Sequence, residues 1–174
     1  MIRKADWRDM SSVVEIYDHI LTEQEAGKIS VGWVRGVYPT EHTVEDAIKM
    51  QELFVDEENG RILAAARINQ MQMPEYSAAS WRYQAPSNEV MVLHTLVVEP
   101  KTAGKGYGKR FIKFYEAYAL DHGCRYLRMD TNELNQAARS LYRKLGYQEI
   151  GIVPCVFNGI PNVRLVCLEK YLGE

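Results

Sequence analysis

The sequence predicts a mixed α/β fold in a single domain covering residues 1–174. Three observations predict it. Val90 to Val98 is an apolar run broken only by His94 and Thr95, the pattern of a central strand buried on both faces. A glycine-rich segment follows it directly. Tyr107 to Leu120 then carries Phe111, Phe114, Tyr115 and Tyr118 as an apolar stripe, with Lys109, Arg110, Lys113 and Glu116 elsewhere, which is a helical period.

The flanking elements read in order. Ile2 to Lys4 is a short strand. Val13, Ile16, Tyr17 and Ile20 recur at helical spacing, with Asp9 or Ser11 as the N-cap. Thr43 to Glu52 is a second helix with Ala47, Ile48 and Met50 among its apolar positions. Leu53 to Asp56 and Arg61 to Ile68 are strands flanking Glu58-Asn59-Gly60, a hairpin signal. Asn69 to Asn88 mixes Met, Tyr and Trp with Pro and Ser and has no period, so it reads either as a pocket wall or as a surface excursion. After the central strand and helix, Gly123 stops the helix and Tyr126 to Asp130 is a strand. Asn135 to Leu145 is a helix with Ala138, Leu141, Tyr142 and Leu145 on one face and Gly146 beyond its end. Gln148 to Val153 and Val163 to Glu169 are the last strands, joined by Pro154 to Pro161, a candidate pocket segment.

Composition limits the function classes. The net charge of -2 offers no general attraction to nucleic acid or to an anionic membrane. Three cysteines, widely spaced and without C-x-x-C, fit neither a disulfide framework nor a zinc site, so no metal is expected. The charged start, Met1-Ile2-Arg3-Lys4-Ala5-Asp6, lacks a leader's apolar run, and no segment has the apolar length of a membrane span. A cytoplasmic location is the expectation.

The chemistry concentrates in Glu99-Pro100-Lys101-Thr102-Ala103-Gly104-Lys105-Gly106-Tyr107-Gly108-Lys109-Arg110. Glycines permit positive φ and close backbone approach to a ligand. The helix that opens here offers unpaired N–H groups and a partial positive charge. Between Lys101 and Lys113 there are five basic residues and no acidic one, which favours a phosphate or pyrophosphate. A P-loop is excluded because Arg110 follows Gly108-Lys109 and Ala103 stands where the first glycine is required. A dinucleotide fingerprint is excluded because Phe111 occupies its third glycine position.

Leu96-Val97-Val98-Glu99-Pro100, then Gly104-Lys105-Gly106-Tyr107-Gly108, then an amphipathic helix, resembles the acetyl-CoA-binding region of the GNAT-type N-acetyltransferases. Asn135-Gln136-Ala137-Ala138-Arg139-Ser140-Leu141-Tyr142, continuing to Gly146-Tyr147, resembles that superfamily's second hallmark. The resemblance implies a mixed, mostly antiparallel central sheet of about six to seven strands, with helices on both faces and splayed central strands. It implies acetyl-CoA as acyl donor and direct transfer to an amine, without a metal. The main chain of Leu96, Val97 and Val98 would pair with the pantetheine arm. Gly104, Lys105, Gly106, Tyr107, Gly108 and Lys109 would hold the pyrophosphate, and Asn135 would contact CoA as well as cap its helix. Ala103 departs from the Gln or Arg usual in the family, which leaves the phosphates to backbone N–H groups. Tyr142 would be the general acid toward the CoA sulfur. Its other reading is core, from its place in the apolar stripe.

Glu89 and His94 are the candidate bases, with Asp130 and Asn132 as further polar candidates and a water chain as an alternative. His94 is expected on one strand face with Leu96 and Val98. A primary amine on a small molecule is the expected acceptor, and a homodimer is left open. The alternative function is a non-catalytic acyl-CoA-binding sensor of the same fold.

Overall fold

The computed structural model describes residues 1–173. Seven strands form one sheet: β1 (Ile2–Lys4), β2 (Leu53–Glu58), β3 (Arg61–Asn69), β4 (Val90–Val98), β5 (Tyr126–Asn132), β6 (Gln148–Phe157) and β7 (Ile160–Tyr171). Their order is β1-β2-β3-β4-β5-β7-β6, and only the β4–β5 pair is parallel. Four α-helices cover it: α1 (Met10–Glu25), α2 (Glu41–Lys49), α3 (Tyr107–Asp121) and α4 (Gln136–Lys144).

The helices divide between the two faces. Val13, Ile16, Ile20, Val44 and Ile48 of α1 and α2 pack on Leu53, Val55, Ala65 and Val97. Phe111, Ile112, Tyr115 and Tyr142 of α3 and α4 pack on Phe54, Ala66, Leu93 and Met129 on the other side. Successive strand residues face opposite ways, so β2, β3 and β4 feed both cores at once.

Several boundaries differ from the sequence reading. Asp9 does not cap α1 with its side chain, which instead takes two hydrogen bonds from Arg3 (2.7 and 2.8 Å). The entry is capped by Asp6, whose Oδ1 accepts from the Arg8 N–H (2.8 Å) through a short 3-10 turn. Thr40 opens α2 in a reciprocal exchange with Thr43, and Met50 lies past the helix end and is exposed. Strands β6 and β7 are longer than expected. Pro154 to Pro161 is therefore the tip of a hairpin that turns at Asn158 and Gly159, both with positive φ (50° and 79°). The excursion from Asn69 to Asn88 folds over the sheet through 3-10 turns at Pro74–Ala78 and Ser87–Glu89, and buries Tyr76.

The central strands separate. β4 and β5 pair from Val90↔Tyr126 to Leu93↔Met129 and no further. Beyond that, β4 stays with β3 to Val98 and β5 stays with β7 to Asn132. A bulge accompanies the split. Between the pairs Arg67↔His94 and Ala65↔Val97, β4 spends one residue more than β3. Thr95 sits there at φ 52°, a strained value for a β-branched residue. The expected burial of β4 on both faces is thus continuous only to Leu93; His94 to Leu96 are half-buried, and Val97 is buried again. The bulge also breaks the alternation. His94 shares its face with Val97 and Ala65, not with Leu96 and Val98.

One glycine is set by packing. A Cβ on Gly108 would stand 3.0 Å from Leu141 Cδ2 and 3.8 Å from Val98 Cγ2. Gly108→Val is expected to push α3 from α4 and lower stability by about 1–3 kcal/mol, read by thermal unfolding.

Candidate active site

Two adjoining cavities open where β4 leaves β5. The first lies in the wedge, lined by Leu93, Thr95, Leu96, Asp130, Asn135 and Tyr142 among others. The second lies on the α1/α2 side, reached by Tyr17, Tyr38, Arg67, His94, Thr95 and Asp130. Tyr38, Thr95, Asp130, Phe157 and Asn158 border both, so the cavities meet at the bulge and at the hairpin tip.

Tyr142 reaches the wedge from α4. Its ring packs against Tyr147 with centroids 6.2 Å apart, and the residue is buried. Burial, and then the charge of Asp130, push the phenol above its ordinary value. It therefore holds its proton at neutral pH. No hydrogen bond engages its hydroxyl among the described residues. The core reading and the acid reading are compatible here, because the ring is in the core and the hydroxyl is at the cavity. Asn135 caps α4 by accepting from the Ala138 N–H (3.1 Å) and also lines the wedge.

Asp130 takes a hydrogen bond from the Tyr76 hydroxyl (2.6 Å), a contact supplied by the Asn69–Asn88 excursion. Burial raises its carboxyl to about 6, against the lowering effect of that hydrogen bond. His94 has a defined tautomer. Asn69 Nδ2 donates to Glu52 Oε2 (2.9 Å), so Asn69 Oδ1 must accept, and His94 Nε2 carries the proton it donates there (2.8 Å). Nδ1 keeps its lone pair. Burial, and then the charge of Arg67, push this imidazole down to about 4, so it is neutral at pH 7.

Glu89 is not brought to the site. It stands in the 3-10 turn before β4 and lines neither cavity. Five residues at about 3.3 Å each place it roughly 16 Å from His94 along the strand. The strand splits at its other end, so a carboxylate before Val90 lies away from the opening.

The glycine loop sits beyond the end of β4. Glu99 fixes its start, accepting from the Lys101 N–H (3.2 Å) and meeting His19 Nδ1 (2.8 Å). Gly104 (φ 79°) and Gly106 (φ 88°) take the left-handed conformations the turn needs. The Arg110 N–H is the first to find a helical carbonyl, that of Gly106 (2.9 Å), which leaves those of Tyr107, Gly108 and Lys109 facing outward. Lys101, Lys105, Lys109 and Lys113 are exposed, while Arg110 is tied to Asp56 (2.6 Å). The Tyr107 side chain is turned away to Glu58 of the β2–β3 hairpin, so only its backbone serves the loop. Free N–H groups, lysines and the unpaired edge of β4 at Leu96, Val97 and Val98 fit a pyrophosphate with an extended amide-bearing arm.

Sequence reasoning missed Tyr17, Tyr38 and Arg67. Tyr17 is in a helical apolar stripe, Tyr38 in a connection without a period, and Arg67 in an otherwise apolar strand; nothing local marks any of them. Arg67 had the best available signal, as a charge inside a strand of a buried sheet.

Known proteins share the sequence pattern and the fold. A model of the acetyltransferase (GNAT) family matches residues 13–147. An uncharacterised N-acetyltransferase, YhfO of Bacillus subtilis, is 30% identical over 97 residues, which is 56% of this chain and 58% of that protein. A thialysine N-epsilon-acetyltransferase of Bos taurus is 32% identical over 75 residues, or 43% of this chain and 44% of that protein. The chain thus matches about half the length of these curated relatives. The structure of yncA of Salmonella typhimurium, solved with its cofactor acetyl-CoA, superposes with a TM-score of 0.70 at 21% identity, covering 100% of this chain and 94% of that one. Among the described residues no helix is long and apolar enough to cross a membrane. With the family model spanning both hallmarks and the splayed sheet beneath them, this chain belongs to the acetyltransferase (GNAT) family.

Proposed function

We propose that the chain transfers acetyl from acetyl-CoA to a primary amine of a small molecule. One observation carries the reading. Tyr142 and Asp130 present a proton donor and a proton acceptor to the same opening, beside a strand edge left without a partner. Acetyl-CoA supplies an activated acetyl thioester there. Leu96, Val97 and Val98 hold its arm by main-chain hydrogen bonds. Backbone N–H groups from Gly104 to Lys109 hold the phosphates, helped by Lys101 and Lys105, and Asn135 lies beside the arm.

Asp130 takes the amine's proton, since a carboxyl near 6 is ionised at neutral pH yet still basic. His94 offers the Nδ1 lone pair to an amine N–H in the second cavity. Tyr142 donates its proton to the departing sulfur, and its buried ring fixes the direction of that donation. A small acceptor suits enclosed walls made by the Asn69–Asn88 excursion and the β6–β7 tip. The Bos taurus relative is named for transfer to thialysine, a small amine.

The test is release of free CoA thiol when the protein meets acetyl-CoA and a panel of primary amines. Amine-dependent release supports transfer. Acetyl-CoA binding without it favours the sensor alternative. Gly106→Val tests the loop separately. A Cβ there meets nothing within 4 Å, so the fold should survive the added strain at φ 88°. The side chain would instead project toward the phosphates, and acetyl-CoA affinity is expected to fall by about 2 kcal/mol or more, read by calorimetry. Equal affinity in the folded variant would remove the loop from the site.

A further inference from the structure

Arg67, His94 and Asp130 form a row. The register pairs Arg67 with His94, and Asp130 follows Met129, the partner of Leu93, so the three stand side by side on β3, β4 and β5. All three line the second cavity. Two strand spacings separate the ends of the row by roughly 10 Å between backbones, more where the strands splay. The side chains reach inward and narrow that to the span of a small molecule.

Arg67 is held in one orientation. Its Nε (2.6 Å) and Nη2 (2.5 Å) both bind Oε2 of Glu52, the oxygen that also takes Asn69 Nδ2 (2.9 Å). That fork leaves Nη1 without an acceptor among the described residues. The guanidinium lies within electrostatic reach of Tyr17, Tyr38 and His94, each of which it draws toward lower pKa. Tyr17 is 4% exposed, lines the same cavity, and its hydroxyl has no hydrogen-bond partner among the described residues. Two donors therefore await an acceptor at one end of the cavity. At the other end Asp130 has a carboxylate oxygen beyond the one held by Tyr76. Between them the wall includes Leu53, Met71, Met73 and Phe157.

Such a cavity discriminates. An amine without an anion would bury Arg67 Nη1 and the Tyr17 hydroxyl unpaired, and an unpaired buried donor is costly. A molecule carrying both an amine and an anion satisfies both ends. We propose that the acceptor is an amino carboxylate, its carboxylate held by Arg67 Nη1 and the Tyr17 hydroxyl and its amine presented to Asp130 at the junction with the wedge. This rests on the acetyl-transfer reading and adds the chemical class of the acceptor. Glu52 and Asn69 are then positioning residues that aim Arg67 and His94.

The experiment is calorimetric titration of the CoA-loaded protein with the twenty protein amino acids, β-alanine and 4-aminobutyrate, each beside its decarboxylated amine. At least one amino carboxylate is expected to bind about 30-fold more tightly than its amine, the scale of a charge-assisted contact. Arg67→Gln should erase about tenfold or more of that preference, and Tyr17→Phe several-fold with the melting temperature kept. Should Arg67→Gln not fold, the wild-type ratio and Tyr17→Phe decide. Amines that bind as well as their carboxylates, no binding by any amino carboxylate, or a preference that survives in the folded variants would overturn the inference. Titration of the free protein with acetyl-CoA reports on the underlying reading. Failure there overturns both, whereas indifference to the carboxylate with acetyl-CoA bound overturns only the acceptor class.

Discussion

Tyr142→Phe is expected to lower kcat by about 10² to 10⁴, roughly 3 to 5 kcal/mol, with the KM for acetyl-CoA little changed. The substitution removes one hydroxyl that has no hydrogen-bond partner among the described residues and keeps a ring that packs on Tyr147. Packing should therefore survive. The ground-state thioester needs no proton, so the hydroxyl's contribution is confined to the transition state and appears in kcat. A purely structural tyrosine would give the opposite pattern, a lower melting temperature with normal turnover. A folded Tyr142→Phe protein with unaltered kcat, measured where chemistry limits the rate, would falsify the acid role.

Asp130→Asn is expected to cut kcat/KM by about 10² or more while making the protein more stable at neutral pH. The two effects share one cause. Burial raises the carboxyl from 3.8 to about 6, so the folded state disfavours its ionised form. Between those values the native state binds more protons than the unfolded chain, and stability falls as pH rises through the window. Above it the ionised carboxylate costs about 3 kcal/mol. Asparagine carries no charge there and can still accept from Tyr76. The variant should melt about 6–12 °C higher at pH 7.5. The gain should vanish below about pH 3, where aspartate is neutral in both states. Activity should lose the acidic limb that the wild type is expected to show near pH 6. Equal melting temperatures at pH 7.5 would mean that the buried charge is compensated, and an intact acidic limb near pH 6 would assign that limb to the amine's own ionisation, since the His94 imidazole is pushed down to about 4.

These two variants also separate the enzyme from a sensor. A sensor would keep its acetyl-CoA affinity in both and lose no turnover, having none. The stability gain of Asp130→Asn would remain, because it follows from burial alone.

The sequence by itself determined what depends on short-range order. The strand–glycine loop–helix unit was legible because periodicity changes sharply at Pro100 and at Gly106. Asn135 as the cap of α4 and Tyr142 on that helix's buried face were legible because cap and apolar stripe fall in one short hallmark. The Glu58-Asn59-Gly60 turn was legible because Asn59 and Gly60 both adopt positive φ (52° and 73°), which few residues tolerate. The second such turn, Asn158-Gly159, carried the same signal; the proline at each side of it concealed the hairpin. Tertiary structure alone decided the rest. Whether His94 shares its face with Leu96 and Val98 or with Val97 depends on one extra residue at Thr95, and a bulge reverses every side chain beyond it without leaving a mark in composition. The distance of Glu89 from the opening follows from which end of β4 separates from β5, a matter of pairing between strands far apart in sequence. Arg67, His94 and Asp130 become neighbours only through that pairing, and the carboxyl of Asp130 acquires its basicity only through burial in the folded chain, which outweighs the lowering effect of the hydrogen bond from Tyr76, more than fifty residues away.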